Sequence, residues 1–156
     1  MTWRPDLTVA AVVQRQDRFL IVEERINGRL VLNQPAGHVE EGESLLVAAA
    51  RETLEETAWH FTPASLLGVY LWRNEANGRS FLRFALSGEV HRHEPDRALD
   101  RGIVAAHWLT REQLLAQSAR LRSPLVLRCI DDHLAGIRHD LQALTYIDSA
   151  SVARSA

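Results

Sequence analysis

Three glutamates crowd one short stretch, "RETLEET" from Arg51 to Thr57: Glu52, Glu55 and Glu56. On a helix at ~100° per residue they fall within roughly 100° of arc. Leu46, Ala49, Ala50, Thr53, Leu54 and Thr57 gather opposite them. Glu52–Glu55 and Glu52–Glu56 are each one turn apart, and such like-charge pairs cost roughly 0.2–0.5 kcal/mol on an exposed helix. A plain solvated face usually interleaves its charges. Arg51 offsets part of the repulsion, and a divalent cation would offset all of it. Donors that are all oxygen suit Mg²⁺ or Mn²⁺ better than zinc.

The segment before this helix, "NQPAGHVEEGE", places Pro35, Gly37 and Gly42 within eight residues. Such a loop turns sharply and lets backbone approach a ligand. Glu43 stands where the helix begins, and free N–H groups there favour a carboxylate. The Gly37 carbonyl is a candidate ligand for the same cation.

These groups need a scaffold. "LTVAAVVQ" from Leu7 and "RFLIVEE", Arg18 to Glu24, read as buried strands flanking a tight turn at "RQD". Asn27-Gly28 predicts a hairpin into a short strand at Val31 and Leu32. Leu66 to Arg73 and Ser80 to Val90 form a second hairpin around Asn77-Gly78. "HRHEPDRALDRG" is a polar loop before a last strand, Ile103 to Leu109. Thr110 with Gln113 makes a capping box. Ser123-Pro124 opens a final helix, as cap and first-turn proline, running to about His139. This order predicts a mixed α/β (α+β) fold, with a mixed sheet and helices on both faces. Residues 1–148 are expected to form one domain and 149–156 a disordered tail.

Composition narrows the function. The net charge of −2 lacks the basic excess of a broad nucleic-acid footprint, so no nucleic-acid partner is expected. All 18 basic residues are arginine. The single cysteine, Cys129, excludes an intrachain disulfide and reads as a small buried residue. No apolar run approaches the ~18 residues of a membrane helix. "MTWRPDLTVA" does not have the pattern of a secretory signal. No membrane association and a cytoplasmic location are expected.

Gly37, Glu43, Arg51-Glu52 and Glu55-Glu56 occur in the spacing G-x5-E-x7-R-E-U-x-E-E-x-G-U, and on these residues the chain resembles the Nudix hydrolase family. Every charged position of that box is present. Thr53, Ala58 and Trp59 depart from its aliphatic, glycine and aliphatic positions. "NQPAGH", "FLRFAL" and "LRSPLV" resemble the NudJ-like phosphatase branch, and the likeness covers most of residues 6 to 135.

The resemblance implies a Nudix-like α/β/α sandwich around a central mixed sheet. It implies hydrolysis of phosphoanhydride bonds with Mg²⁺, or Mn²⁺, as cofactor. Glu52 and Glu56 would be direct ligands, with Glu55 and the Gly37 carbonyl contributing, and Glu43 and Arg51 would orient them. The general base stays open among Glu52, Glu55 and Asp100. Candidate phosphate contacts are His38, Arg25, Arg73, Arg83 and Arg122. Trp72, Tyr70 and Phe81 are candidates to stack on a flat ring.

The expected partner is a small phosphorylated substrate: a nucleoside di- or triphosphate, or hydroxymethylpyrimidine or thiamine diphosphate. An ADP-ribose or nucleotide-sugar pyrophosphatase is the enzymatic alternative, and an RNA 5′-end pyrophosphohydrolase a further one that the near-neutral charge disfavours. A Nudix-fold binding module without catalysis is an alternative of another class, set against the intact box carboxylates. Monomer and homodimer both fit the sequence.

Overall fold

The computed structural model describes residues 1–149. The rest of the expected tail, from Ala150, lies outside the described residues. The strands are β1 (Asp6–Val12), β2 (Gln14–Arg15), β3 (Arg18–Ile26), β4 (Arg29–Asn33), β5 (Ala36–His38), β6 (Trp59–Arg73), β7 (Ser80–His93) and β8 (Ile103–Thr110). The helices are α1 (Leu45–Thr57), α2 (Arg111–Ala116) and α3 (Leu125–Leu134), with 3₁₀ turns at 118–120 and 141–143.

The strands form two four-stranded sheets. One has the order β5-β1-β7-β6 and is mixed, since β1 runs parallel to β7 and the other pairs are antiparallel. In the other, β3 pairs antiparallel with β2, β4 and β8. A strand sends successive side chains to opposite faces, and here both faces are covered. Val9, Ala11 and Val13 join Leu20, Leu66, Leu86 and the α1 alanines Ala48 and Ala49 in one cluster. Val12 joins Phe19, Ile21, Leu67, Ala85, Leu114, Cys129 and Ile130 in the other, beneath α2 and α3. Three layers result, α1, sheets, then α2 with α3. Burial on both faces explains why "LTVAAVV" and "FLIV" read as continuous apolar runs.

Several boundaries differ from the sequence expectation. β6 begins seven residues early, at Trp59, and carries Pro63. Register shifts at Pro63/Ser65 and Leu66/Gly68 absorb it, and β6 lies at the sheet edge, where proline is tolerated. Helix α3 ends at Leu134, before His139, because the chain turns through Gly136 at φ +81°. His139 instead exchanges backbone hydrogen bonds with Leu66. The Thr110–Gln113 capping box forms in full. Among the described residues no helix is long and apolar enough to cross a membrane.

Helix α1 starts at Ser44, whose hydroxyl accepts from the Val47 N–H. Thr53 and Thr57 are buried, and each donates its hydroxyl to the carbonyl four residues back, at 2.8 and 2.6 Å. That satisfies a polar side chain at an apolar position. The helix ends at Ala58, which takes the left-handed conformation at φ 60° and donates its N–H to the Leu54 carbonyl. A Cβ in that conformation costs roughly 1–2 kcal/mol. Ala58→Gly is therefore expected to stabilise the protein by about 0.5–1 kcal/mol after the extra chain entropy of glycine. The urea midpoint measures this, and a lower midpoint would show that methyl packing outweighs backbone strain.

Candidate active site

Arg51 is the hub of the α1 carboxylates. Its Nε and Nη2 donate to the two oxygens of Glu43 at 3.0 and 2.6 Å. Nη1 reaches Glu52 at 2.9 Å and Glu55 at 3.1 Å, and Nη2 also donates to the His38 carbonyl at 3.0 Å. The bidentate fork is a geometry that arginine supplies and lysine does not. It holds the Glu43 carboxyl below the usual carboxylate range. One side chain thus ties the loop before α1 to Glu52 and Glu55 on the helix.

Glu56 corrects the simple two-faced picture of the helix. It is 7% exposed rather than solvated, because the backbone at Ala36 lies over it and donates to Oε1 at 2.8 Å. Burial pushes its carboxyl up to about 9, and its charged neighbours Glu52, Glu24 and Asp100 are all negative. Burial also raises Glu52, against the pull of Arg51. Glu52 folds over Gly37 so closely that a Cβ there would overlap its carboxyl group.

The donor chemistry fits a hard divalent cation: carboxylate oxygens, partly desolvated, beside a glycine that leaves backbone accessible. Among the described residues no three acidic, histidine or cysteine side chains already converge on one centre. Arg51 draws Glu52 and Glu55 toward itself, so cation binding would require these carboxylates to turn. A Cβ in Gly37→Ala would displace the Glu52 carboxyl from its place over this backbone. The substitution is expected to lower kcat/KM by about 10²-fold while leaving the melting temperature little changed. A steady-state assay beside a thermal melt separates these effects.

Beside the carboxylates lies a cavity of about 360 Å³. Strand register builds much of its wall. His38, Thr8 and Arg83 stand side by side across β5, β1 and β7, and all three line the cavity. Two residues along, Phe81 pairs with Trp72, and their rings stack at 5.6 Å between centroids and 22° between planes. Glu24, Glu52 and Glu56 bring carboxyl groups, and Arg83 and Arg122 bring positive charge.

The expected site residues separate accordingly. His38, Arg83, Arg122, Trp72, Gly37, Glu52 and Glu56 share this cavity. The His38 ring is largely exposed and lies 3.5 Å from Asp6. Asp100 is exposed in the loop before β8, where its N–H donates to the Glu55 carbonyl at 2.9 Å. Neither Asp100 nor Glu55 lines the cavity.

Arg25 and Arg73 are not brought to this cavity. Glu24 and Ile26 face the cavity, so Arg25 between them faces away. Trp72 faces the cavity, so Arg73 faces away, into a shallow depression with Trp3 and Leu71. Tyr70 donates its hydroxyl to Asp132 at 2.7 Å and does not line the cavity.

The sequence reading missed Glu24, Asn33, Gln34 and Ser123. A register shift in the β3–β8 pairing falls between Glu23 and Glu24. Glu23 binds Arg120 and His107. Glu24 enters the cavity, where burial raises its pKa. The signal available was the acidic pair closing an apolar strand.

The NUDIX domain model matches residues 4–128. Phosphatase NudJ of Escherichia coli K12 is 39% identical over 142 residues, spanning 91% of this chain and 92% of that protein. A NUDIX hydrolase structure from Nitrosomonas europaea is 48% identical, with a TM-score of 0.92 over 94% of this chain and 99% of that one. An ADP-ribose pyrophosphatase from Streptococcus suis shares the fold alone, at 15% identity and a TM-score of 0.63, over 83% of this chain and 92% of that one. The arginine-tied carboxylate helix, the three-layered sheet and these likenesses agree: the chain belongs to the Nudix family of hydrolases.

Proposed function

We propose that this protein hydrolyses a phosphoanhydride bond in a small nucleoside di- or triphosphate, or in a ring-bearing diphosphate such as hydroxymethylpyrimidine or thiamine diphosphate, and releases inorganic phosphate. The observation that carries this reading is the mixed charge of one cavity. Acids suited to divalent cations share it with two arginines and a stacked aromatic pair. Its volume of about 360 Å³ suits a single compact substrate. The relative named phosphatase NudJ supports direct phosphate release.

In this reading Glu52, Glu55, Glu56 and the Gly37 carbonyl would hold Mg²⁺ or Mn²⁺. Such an ion neutralises phosphate charge and acidifies water. Glu43 and Arg51 fix the helix and loop that carry these ligands. Arg83, Arg122 and His38 take phosphate oxygens, and Trp72 with Phe81 receives the flat ring. Glu52, Glu55 or Asp100 receives the proton of the attacking water.

The test is phosphate release from a panel, with and without Mg²⁺ and with and without coupling enzymes. It includes nucleoside di- and triphosphates, thiamine and hydroxymethylpyrimidine diphosphates, and ADP-ribose. Metal-dependent release of phosphate directly from several free diphosphates is expected. Release only from ADP-ribose, and only with a coupling phosphatase, would replace this reading with nucleotide-sugar cleavage.

A further inference from the structure

Arg83 is 5% exposed, and its hydrogen-bonding partners are neutral. Nη1 donates to Gln34 Oε1 at 3.0 Å and lies 4.0 Å from Cys129 Sγ, and Nη2 donates to Asn33 Oδ1 at 3.2 Å. Gln34 is itself fixed, since its Nε2 donates to the Val126 carbonyl at 2.7 Å. Burying a guanidinium without a counter-charge is costly, and proteins ordinarily pair it with a carboxylate. Here carboxylates are close by, because Glu24, Glu52 and Glu56 line the same cavity. None of them binds Arg83. Two amide oxygens orient its rigid fork without forming an ion pair to it, and further N–H donors remain for a guest. Arg122 adds a second positive charge at the exposed edge of the cavity.

We propose that Arg83 is a preorganised anchor for a phosphate group of the substrate, and that Asn33 and Gln34 are positioning residues whose neutrality keeps that anchor available. This rests on the reading that the cavity takes a phosphorylated substrate. An acid in place of Asn33 would still accept from Arg83 but would discharge it. Specificity for an anionic group then depends on residues that need not touch the substrate.

Asn33→Asp is the sharpest test, because it keeps the shape and the acceptor atom and adds only charge. Gln34→Glu is less clean, since its carboxylate would meet the Val126 carbonyl. The readout is inorganic phosphate binding to metal-free protein, followed by ³¹P NMR titration. Steady-state kinetics on the best panel substrate accompany it.

Asn33→Asp is expected to weaken phosphate binding at least tenfold and raise KM by a similar factor. Its kcat should stay within about threefold and its melting temperature should not fall, because Arg83 gains an ion pair. Asn33→Ala, which adds no charge, should lose far less affinity. Arg83→Gln can still donate to both amides, and it must also lose phosphate binding. An Asn33→Asp or Arg83→Gln protein that binds phosphate as tightly as wild type overturns the proposal, as does Asn33→Ala losing as much as Asn33→Asp.

The two readings fail separately. Phosphate binding through Arg83 without turnover of any panel substrate would sink the substrate assignment alone. Turnover with phosphate binding indifferent to Asn33→Asp would sink the anchor alone.

Discussion

Glu56→Gln is expected to cut metal-dependent hydrolysis by at least about 10³-fold, equivalent to about 4 kcal/mol of lost transition-state stabilisation. The substitution is nearly isosteric and keeps the acceptor for the Ala36 N–H, whose bond is 2.8 Å long. It removes only the ionisable oxygen, so folding should survive. Stability supplies the second readout. Burial raises the folded-state pKa of Glu56 to about 9, from an ordinary 4.5. A group raised in the folded state favours folding most when protonated. Its contribution is complete below about pH 4.5 and is lost as pH rises toward 9. In EDTA, wild-type stability should therefore fall across that window, and Glu56→Gln should flatten the fall. Melting curves from pH 5 to 9, with and without Mg²⁺, show whether the two proteins converge at low pH. Appreciable turnover by Glu56→Gln would remove Glu56 from the ligand set.

Replacing Arg51 should do comparable damage by another route. Arg51→Ala leaves Glu43, Glu52 and Glu55 together with no arginine between them, and leaves the His38 carbonyl without its donor. Breaking a buried ion pair costs ~3–5 kcal/mol. The Arg51 side chain is 21% exposed, so solvent screening brings the expected loss to about 2 kcal/mol. Activity should fall about 10–100-fold, the usual loss when groups behind metal ligands are removed. Arg51→Lys keeps the charge without the fork, so it should recover stability better than activity. The sign with pH is opposite to that of Glu56. Arg51 lowers the Glu43 pKa, so this stabilisation is present above about pH 4.5 and lost as pH falls below it. The deficit of Arg51→Ala in urea melts should be large near pH 7 and shrink in acid. An undiminished deficit at low pH would show that packing, not charge, is what Arg51 contributes.

The parts of the site legible in the sequence are those encoded locally. Glu43, Arg51, Glu52, Glu55 and Glu56 lie within fourteen consecutive positions on one capped helix and its lead-in, where helical spacing alone sets their neighbours. The rest of the cavity is assembled by register between distant strands. Arg83 meets Asn33 and Gln34 across about fifty positions of sequence and stands beside Thr8 through the β1–β7 pairing. No local pattern announces that. Arg25 and Arg73 lie outside the cavity for a simpler reason. Each neighbours a residue that does face the cavity, and period-two alternation turns the next side chain to the other face. The proline-bearing start of β6 also escaped the sequence reading, because an edge strand with register shifts lacks clean alternation.

The placement of β1 also governs how the chain can be made. β1 lies between β5 and β7 and pairs with β7 from Asp6↔Phe81 to Val12↔Ser87. β3 waits longer, for partners running from Ile103 to Thr110. A ribosome delivers roughly 5–20 residues per second, so both apolar strands emerge several seconds before the segments that cover them. Neither sheet can close on a partial chain, and pairings this remote in sequence are slow to find. The two most apolar stretches, "LTVAAVV" and "FLIV", thus each keep one unpaired edge until β7 and β8 have been made. Open strand edges of this kind are templates for aggregation, so the risk is greater in the nascent polypeptide than in the finished fold.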